Sequence, residues 1–205
     1  MTRTAQQNQK IKDIRKEQIR LSALMQFASR GFYATRIKDI ADTADMAQGL
    51  LYHYYPSKEA IFIDLVEDAV DKLNEACLYA VALDTPSDEK IRRMLTEIFK
   101  TIEGSDRFRQ TCCLIAQSEN LDLLPDQARR RLEEKRELPY SAMASIMKQG
   151  QAEGNIVEGD PHDLAVLFWT SINGLAIYQA TRSNAGPLPD SRLLSAMFLK
   201  NNGRI

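Results

Sequence analysis

Apolar positions along the chain recur every three to four residues. Ile19, Ala23 and Phe27, with Leu24 and Ala28 beside them, form one stripe, and Gly31 can close it with a left-handed cap. Ile91, Met94, Leu95, Ile98, Phe99 and Ile102 repeat the pattern, as do Met143, Ile146, Met147 and Gly150. Leu164, Leu167, Phe168, Ser171, Ile172 and Leu175 give a stripe broad enough to predict burial on more than one side. Alternation of strand length is absent, so the predicted fold is all-α.

Punctuation divides the helices. Pro56-Ser57 ends one and caps another, and Asp84-Thr85-Pro86-Ser87 leads into a helix near residue 88. Leu124-Pro125-Asp126 and Asp160-Pro161 read as helix starts, Gly154-Asn155 as a stop. Gly186-Pro187-Leu188-Pro189 predicts a rigid connection to a last helix over 190–200.

The densest information lies in the first 58 residues. Thr35 caps a predicted short helix over 35–44, Asp45-Met46-Ala47 breaks it, and Gln48 to Tyr55 form a second. Two short helices joined by so tight a turn make a helix-turn-helix, whose second helix enters the DNA major groove. Ile37, Ile40, Ala41 and Ala44 supply the inner face of the first helix. Met46 and Leu51 can seal the turn onto the helix carrying Phe27, and the small alanines let the pair cross closely.

Gly31-Phe32, Thr35, Ile40-Ala41, Tyr52-x-x-Tyr55 and Ser57-Lys58-Glu59 together resemble the DNA-binding segment of TetR-family repressors. Two positions depart from that pattern. Asp45 stands where the turn usually has Gly, but Asp tolerates the left-handed conformation. Ala47 replaces the usual Ser or Thr cap, which removes about 0.5–2 kcal/mol of capping and a phosphate-contacting hydroxyl. The resemblance implies an N-terminal three-helix helix-turn-helix domain over 1–58. It also implies a C-terminal helical bundle over 59–205 for effector binding and dimerisation.

The implied DNA contacts agree with the chemistry of the residues. Gln48 can pair with adenine N6 and N7, and Gly49 admits close backbone approach. Tyr52, His53 and Tyr54 offer polar tips to phosphates or a ring to a thymine methyl, while Arg36, Lys38 and Lys58 are phosphate anchors. Tyr55 reads as core. Arg3, Lys10, Lys12, Arg15 and Lys16 fit either a solvated tail or a basic arm touching the DNA backbone or minor groove.

For the larger domain the resemblance implies dimerisation through the last two helices, at about 161–181 and 190–200. Leu167, Phe168, Ile172 and Leu175 on one and Leu193, Leu194, Met197 and Phe198 on the other would form a four-helix interface. Two-fold symmetry would place the reading helices about 34–36 Å apart on a pseudo-palindromic operator. Phe99, Phe108, Cys112, Ile115, Tyr140, Met143, Met147, Trp169 and Tyr178 are effector-pocket candidates, each also readable as ordinary core. Together they favour an apolar or aromatic ligand. Arg129-Arg130-Arg131, interleaved with acidic residues, reads as a solvated helix face.

Charge at first argues against nucleic acid: 27 Lys and Arg against 28 Asp and Glu give −1 over 205 residues. Divided, it argues the other way. Residues 1–58 hold 10 basic and 5 acidic groups, +5, and residues 59–205 hold 17 and 23, −6. A basic reading head and an acidic sensor domain average to almost nothing.

Candidate chemistry beyond DNA is sparse. The chain offers no Ser-His-Asp arrangement, no Gly-rich phosphate loop and no Cys/His spacing for a metal, so neither an enzyme nor a cofactor is expected. Three cysteines without framework spacing, a polar N-terminus without a signal sequence and the lack of a membrane-length apolar run predict a cytoplasmic protein. The expected function is a homodimeric repressor released from double-stranded operator DNA by a small, largely apolar effector. Two alternatives stay open: a thiol sensor using Cys112 and Cys113, and a helical interaction module without DNA binding.

Overall fold

The computed structural model describes residues 5–118, 124–182 and 186–200. Among these, the chain forms α1 (Ala5–Ala34), α2 (Ile37–Thr43), α3 (Gln48–Tyr52), α4 (Lys58–Ala82), α5 (Ser87–Gly104), α6 (Asp106–Ser118), α7 (Asp126–Ala152), α8 (Pro161–Thr181) and α9 (Ser191–Ser195). The all-α expectation therefore holds, with one isolated antiparallel bridge, Ile156 to Leu199, added.

α4 is the spine, because its two halves feed two separate cores. Ile61, Phe62, Leu65, Val66 and Val70 pack with Ile19, Ala23 and Phe27 of α1, Ile40 and Ala41 of α2, and Leu51 of α3. Leu114 of α6 and Leu132 of α7 join this cluster. Farther along, Cys77 and Ala80 enter a second core with α5, α7 and α8, centred on Ile91, Leu95, Met143, Met147, Phe168 and Trp169. Lys90 is buried and donates to the Val81 carbonyl at 2.9 Å, satisfying one of the orphan acceptors at the end of α4.

Local deviations have physical causes. At Gly31 the backbone takes φ 80, ψ 164, a region essentially reserved for glycine, so the α1 ladder breaks there, yet one more turn carries it to Ala34. Thr35 is not the cap of α2: Arg36 takes that position. The Thr35 hydroxyl instead donates to the Gly31 carbonyl at 2.7 Å and the Gln26 carbonyl at 3.2 Å, near the break.

Pro139 lies inside α7 and has no N–H, which frees the carbonyl of Lys135. Asn74 on α4 donates to that carbonyl at 3.0 Å, and the Trp169 indole on α8 donates to the Pro139 carbonyl at 3.0 Å.

The C-terminal expectation needs correction. The last helix is the short Ser191–Ser195, capped by Asp190, and the chain then turns so that Val157 N–H donates to the Phe198 carbonyl at 2.9 Å. Leu194 and Phe198 are thereby buried in the chain's own second core. Phe168 and Ile172 are also core residues, at 0% and 2% exposure. Their side chains are spent on the chain's own core, and the exposed positions are the ones left for a partner. Leu167, Leu193 and Met197 are exposed, and Leu175 is half-buried.

Candidate nucleic-acid interface

The turn between α2 and α3 is closed by backbone geometry. Asp45 adopts φ 51, the left-handed conformation the turn requires, and the Met46 N–H donates to the Ala41 carbonyl at 3.0 Å. Ile40, Ala41 and Leu51 are buried beneath it, and they hold α2 and α3 on α1 and α4. The Arg36 N–H donates to the Asp39 carboxylate at 2.9 Å, which caps α2. Ala47 stands at the start of α3 with no side-chain cap, as its methyl side chain dictates.

Burial of this inner face leaves a defined outer one. Gln48, Gly49, Tyr52 and His53 are exposed together on and just after α3, and Arg36 and Lys38 are exposed at the start of α2. Tyr52 is 49% exposed. A Cβ added to Gly49 would meet nothing within 4 Å, so the backbone there stands open to a ligand. α3 is shorter than the predicted helix: it ends at Tyr52, and residues 53–54 form a turn. Because of that turn Tyr54 is half-buried against the first core and does not share the exposure of its neighbours.

Lys58 is the largest departure from expectation. Its ammonium donates to the carbonyls of Phe32 and Thr35, each at 2.8 Å, and lies 4.3 Å from the centre of the Phe32 ring. It clamps the start of α4 to the α1–α2 junction, so it is no freely extended phosphate anchor. A following-helix lysine close to a Gly-aromatic break was legible in sequence; the carbonyls it satisfies were not.

Beside α3 and the loop that follows it lies a polar network absent from the sequence expectations. Tyr55 is buried, and its hydroxyl donates to Asp64 at 2.6 Å. Arg20 contacts Asp64 and Asp68, each at 2.6 Å, and Lys16 reaches Asp64 at 3.5 Å. Burial, and then the Asp64 carboxylate, push the Tyr55 phenol well above its ordinary range. Burial alone would lower the Arg20 pKa, but Asp64 and Asp68 outweigh it and the net shift is upward. The only sequence signal was a charged residue, Asp64, set among the apolar positions of α4. Arg107 of α6 adds an ion pair to Glu17 of α1 at 2.8 Å.

The pocket candidates divide. Phe99, Cys112, Met143, Met147 and Trp169 are buried in the second core, with Phe108 and Tyr140 packed against it. Ile115 is half-buried. Tyr178 does not join them: it is 45% exposed on the outer face of α8, with the Arg182 guanidinium 4.5 Å from its ring centre. A surface depression of about 340 Å³, lined by Asp126, Gln127, Arg130, Arg131 and Glu134, shares no residue with this set.

Cys112 and Cys113 are free and buried. Burial, with Cys113 adding to it, pushes the Cys112 thiol up to about 12, and burial raises Cys113 as well. Such thiols stay protonated and behave as small hydrophobes, which gives a thiol sensor no support. Among the described residues no helix is long and apolar enough to cross a membrane, and no group of three His, Cys, Asp or Glu is placed to hold a metal.

Comparison with known proteins places this geometry. Residues 19–65 match the model of the bacterial regulatory proteins of the tetR family, and residues 88–188 match a tetracyclin repressor-like C-terminal domain. The chain is 32% identical over 167 residues to the HTH-type transcriptional repressor KstR2 of Mycolicibacterium smegmatis, covering 77% of each chain. It superposes on the MbdR regulator of Azoarcus sp. CIB with a TM-score of 0.77 at 24% identity, covering 93% of this chain and 99% of that one. AibR, solved in complex with isovaleryl coenzyme A and operator DNA, superposes with a TM-score of 0.70 at 17% identity, over 89% and 94% of the two chains. The chain belongs to the TetR family of bacterial regulatory proteins and is a DNA-binding transcriptional regulator.

Proposed function

We propose that the chain is a homodimeric cytoplasmic repressor without catalytic activity that leaves a pseudo-palindromic operator when a small, largely apolar effector binds. The observation that carries the reading is the joint exposure of Gln48, Gly49, Tyr52 and His53 over a buried Leu51, flanked by Arg36 and Lys38. Gln48 and Tyr52 would read base edges, and the two basic residues would hold phosphates. The reading head spans residues 1–58 with its core completed by the first half of α4, and residues 59–205 bind effector and partner.

The apolar second core, rich in Met and aromatic side chains around Phe99, Met143, Met147 and Trp169, supports an effector with an acyl or aromatic body. The acyl ligand of the structurally similar AibR points the same way. Effector binding would favour a conformation whose reading helices no longer match the operator spacing. The dimer face proposed for this chain comprises Leu167, Leu175, Tyr178, Leu193 and Met197, with Tyr178 moved here from the pocket set.

The test is selection of bound genomic fragments by the purified protein, followed by release with acyl thioesters and aromatic acids. Enrichment lost in a Gln48→Ala/Tyr52→Ala variant supports the reading. Equal enrichment by wild type and variant overturns it.

A further inference from the structure

Residues 186–200 form a strap across the second core. It starts beside the end of α5, where the Leu188 N–H donates to the Glu103 carboxylate at 3.3 Å, and α9 then packs on α5. It finishes beside the start of α5. There Ile156 pairs with Leu199, the Lys200 N–H donates to the Asn155 carbonyl at 2.9 Å, and the Asn155 amide donates to Asp88 at 3.0 Å. On the other side, the Phe198 ring lies 5.7 Å from that of Phe168 on α8.

Helical spacing gives the strap two faces. Leu194 and Phe198 are 9% and 1% exposed and belong to the second core, together with Leu199. Leu193 and Met197, each one residue earlier, are 68% and 51% exposed. The inward pair therefore walls the core proposed to take the effector, and the outward pair belongs to the proposed dimer face.

A close-packed core takes up a ligand only if some of its side chains move. α4, α5, α7 and α8 are each 18 residues or longer. The strap has only the five-residue α9, the single bridge and bonds at the surface. The Asp190 cap accepts from Arg192 within the strap and travels with it. The ion pair of Lys200 with Glu158, at 2.7 Å, is largely solvated and adds little. Lifting the strap thus breaks fewer interactions than parting two long helices. It would open the core beside Phe168 and Trp169, and it would carry Leu193 and Met197 away from a partner seated on them.

We infer, on the effector core and dimer face proposed above, that residues 186–200 are the gate through which effector reaches the second core, and that the partner subunit holds this gate shut. Effector occupancy and dimerisation then oppose each other. Linkage makes the opposition reciprocal: the dimer weakens effector binding by the factor by which effector weakens the dimer.

The probe is anilinonaphthalene sulfonate, an aromatic dye that reports accessible apolar surface. It is titrated into the full-length wild-type dimer, a Leu167→Glu monomer, and that monomer carrying Ile156→Cys/Leu199→Cys. Residues 156 and 199 form a pair of the non-hydrogen-bonded kind, with Cα atoms about 4.5 Å apart in that geometry, so a disulfide can lock the strap. The monomer should bind dye about 5–150-fold more tightly than the dimer. Oxidation of the cysteine pair should remove that gain, and reduction should restore it. Hydrogen exchange needs no lock: the Val157 and Lys200 amides should exchange faster in the Leu167→Glu monomer than in wild type, while the Met147 amide on α7 keeps its protection. Dye binding no tighter in the monomer, equal binding by the oxidised and reduced forms, or unchanged exchange at Val157 and Lys200 overturns the gate. A Leu167→Glu protein that stays dimeric overturns the dimer-face reading instead.

Discussion

The Tyr55 hydroxyl donates a 2.6 Å hydrogen bond to Asp64, which ties the segment after the reading helix directly to α4. Arg20 meets the same carboxylate from α1 at 2.6 Å, so α1, α4 and the loop after α3 converge on one acidic group. Tyr55→Phe removes one of these ties without changing volume. A lost hydrogen bond to a charged acceptor costs about 1.5–3 kcal/mol. Urea unfolding should report a loss in that range, and operator affinity should fall further as α3 loses its register. Unchanged affinity in a destabilised Tyr55→Phe protein would restrict the bond to a folding role.

Lys58 separates clamp from anchor. Lys58→Ala leaves the Phe32 and Thr35 carbonyls without their donor and should cost about 1–3 kcal/mol in thermal or urea unfolding. Arg36→Ala/Lys38→Ala, at exposed positions, should stay within about 0.5 kcal/mol per site of wild type and instead flatten the salt dependence of operator binding. The reverse pattern would return Lys58 to the DNA surface.

Gly49 tests backbone approach. With open space around its absent Cβ, Gly49→Ala should fold at least as well as wild type and gain up to about 1 kcal/mol of helix propensity. If the α3 backbone approaches DNA closely at this point, the same methyl group weakens operator binding in gel-shift titration. A stabilised variant with undiminished affinity would remove Gly49 from the contact surface.

The proposed dimer face and the core lie one residue apart on α8. Leu167→Glu and Leu193→Glu, both on the surface, should yield folded monomers by sedimentation velocity. Phe168→Ala should cost about 3–5 kcal/mol through cavity formation. Dimers that persist in both glutamate variants would place the interface elsewhere.

The cysteines give a pH signature. Burial pushes Cys77 and Cys112 up to about 12 from an ordinary value near 9. The unfolded chain therefore loses these protons first, and between about pH 9 and 12 it binds fewer protons than the folded chain. Stability present below pH 9 is lost as pH rises, by at most about 1.4 kcal/mol per unit for each thiol. Urea midpoints at pH 8 and pH 10 should show the decline, and Cys77→Ala should flatten it. Alkylation of native Cys112 at pH 8 as fast as in urea would instead revive a thiol-sensing role.

The helix-turn-helix was legible because its determinants are local. Ile40, Ala41 and Leu51 announce a buried face at helical spacing, and Asp45 is among the few residues that accept φ 51. Thr35 was misplaced because whether a threonine caps or ties down carbonyls depends on the break at Gly31, several residues earlier. Leu193, Leu194, Met197 and Phe198 carry a helical period, but pairing of Leu199 with distant Ile156 ends the helix after Ser195. Lys58 was misread, and the role of Asp64 missed, for the same reason. Their partners come from other helices, and periodicity records which side of a helix is wet, not what meets it.

Pro139 turns a missing hydrogen in α7 into a hinge pin for α4. Because Asn74 fills the vacancy that proline leaves, α4 is fastened to α7 there, next to the Lys135–Asp71 and Arg131–Glu67 ion pairs, with a rod of 16 helical steps between Asn74 and Lys58. That rod is about 24 Å long, so a swing of about 5° around Asn74 carries the clamp end about 2 Å. A helix held by packing alone could slide to absorb a disturbance in the second core; one held by a directional bond and two adjacent ion pairs resists that sliding and passes the disturbance along its length.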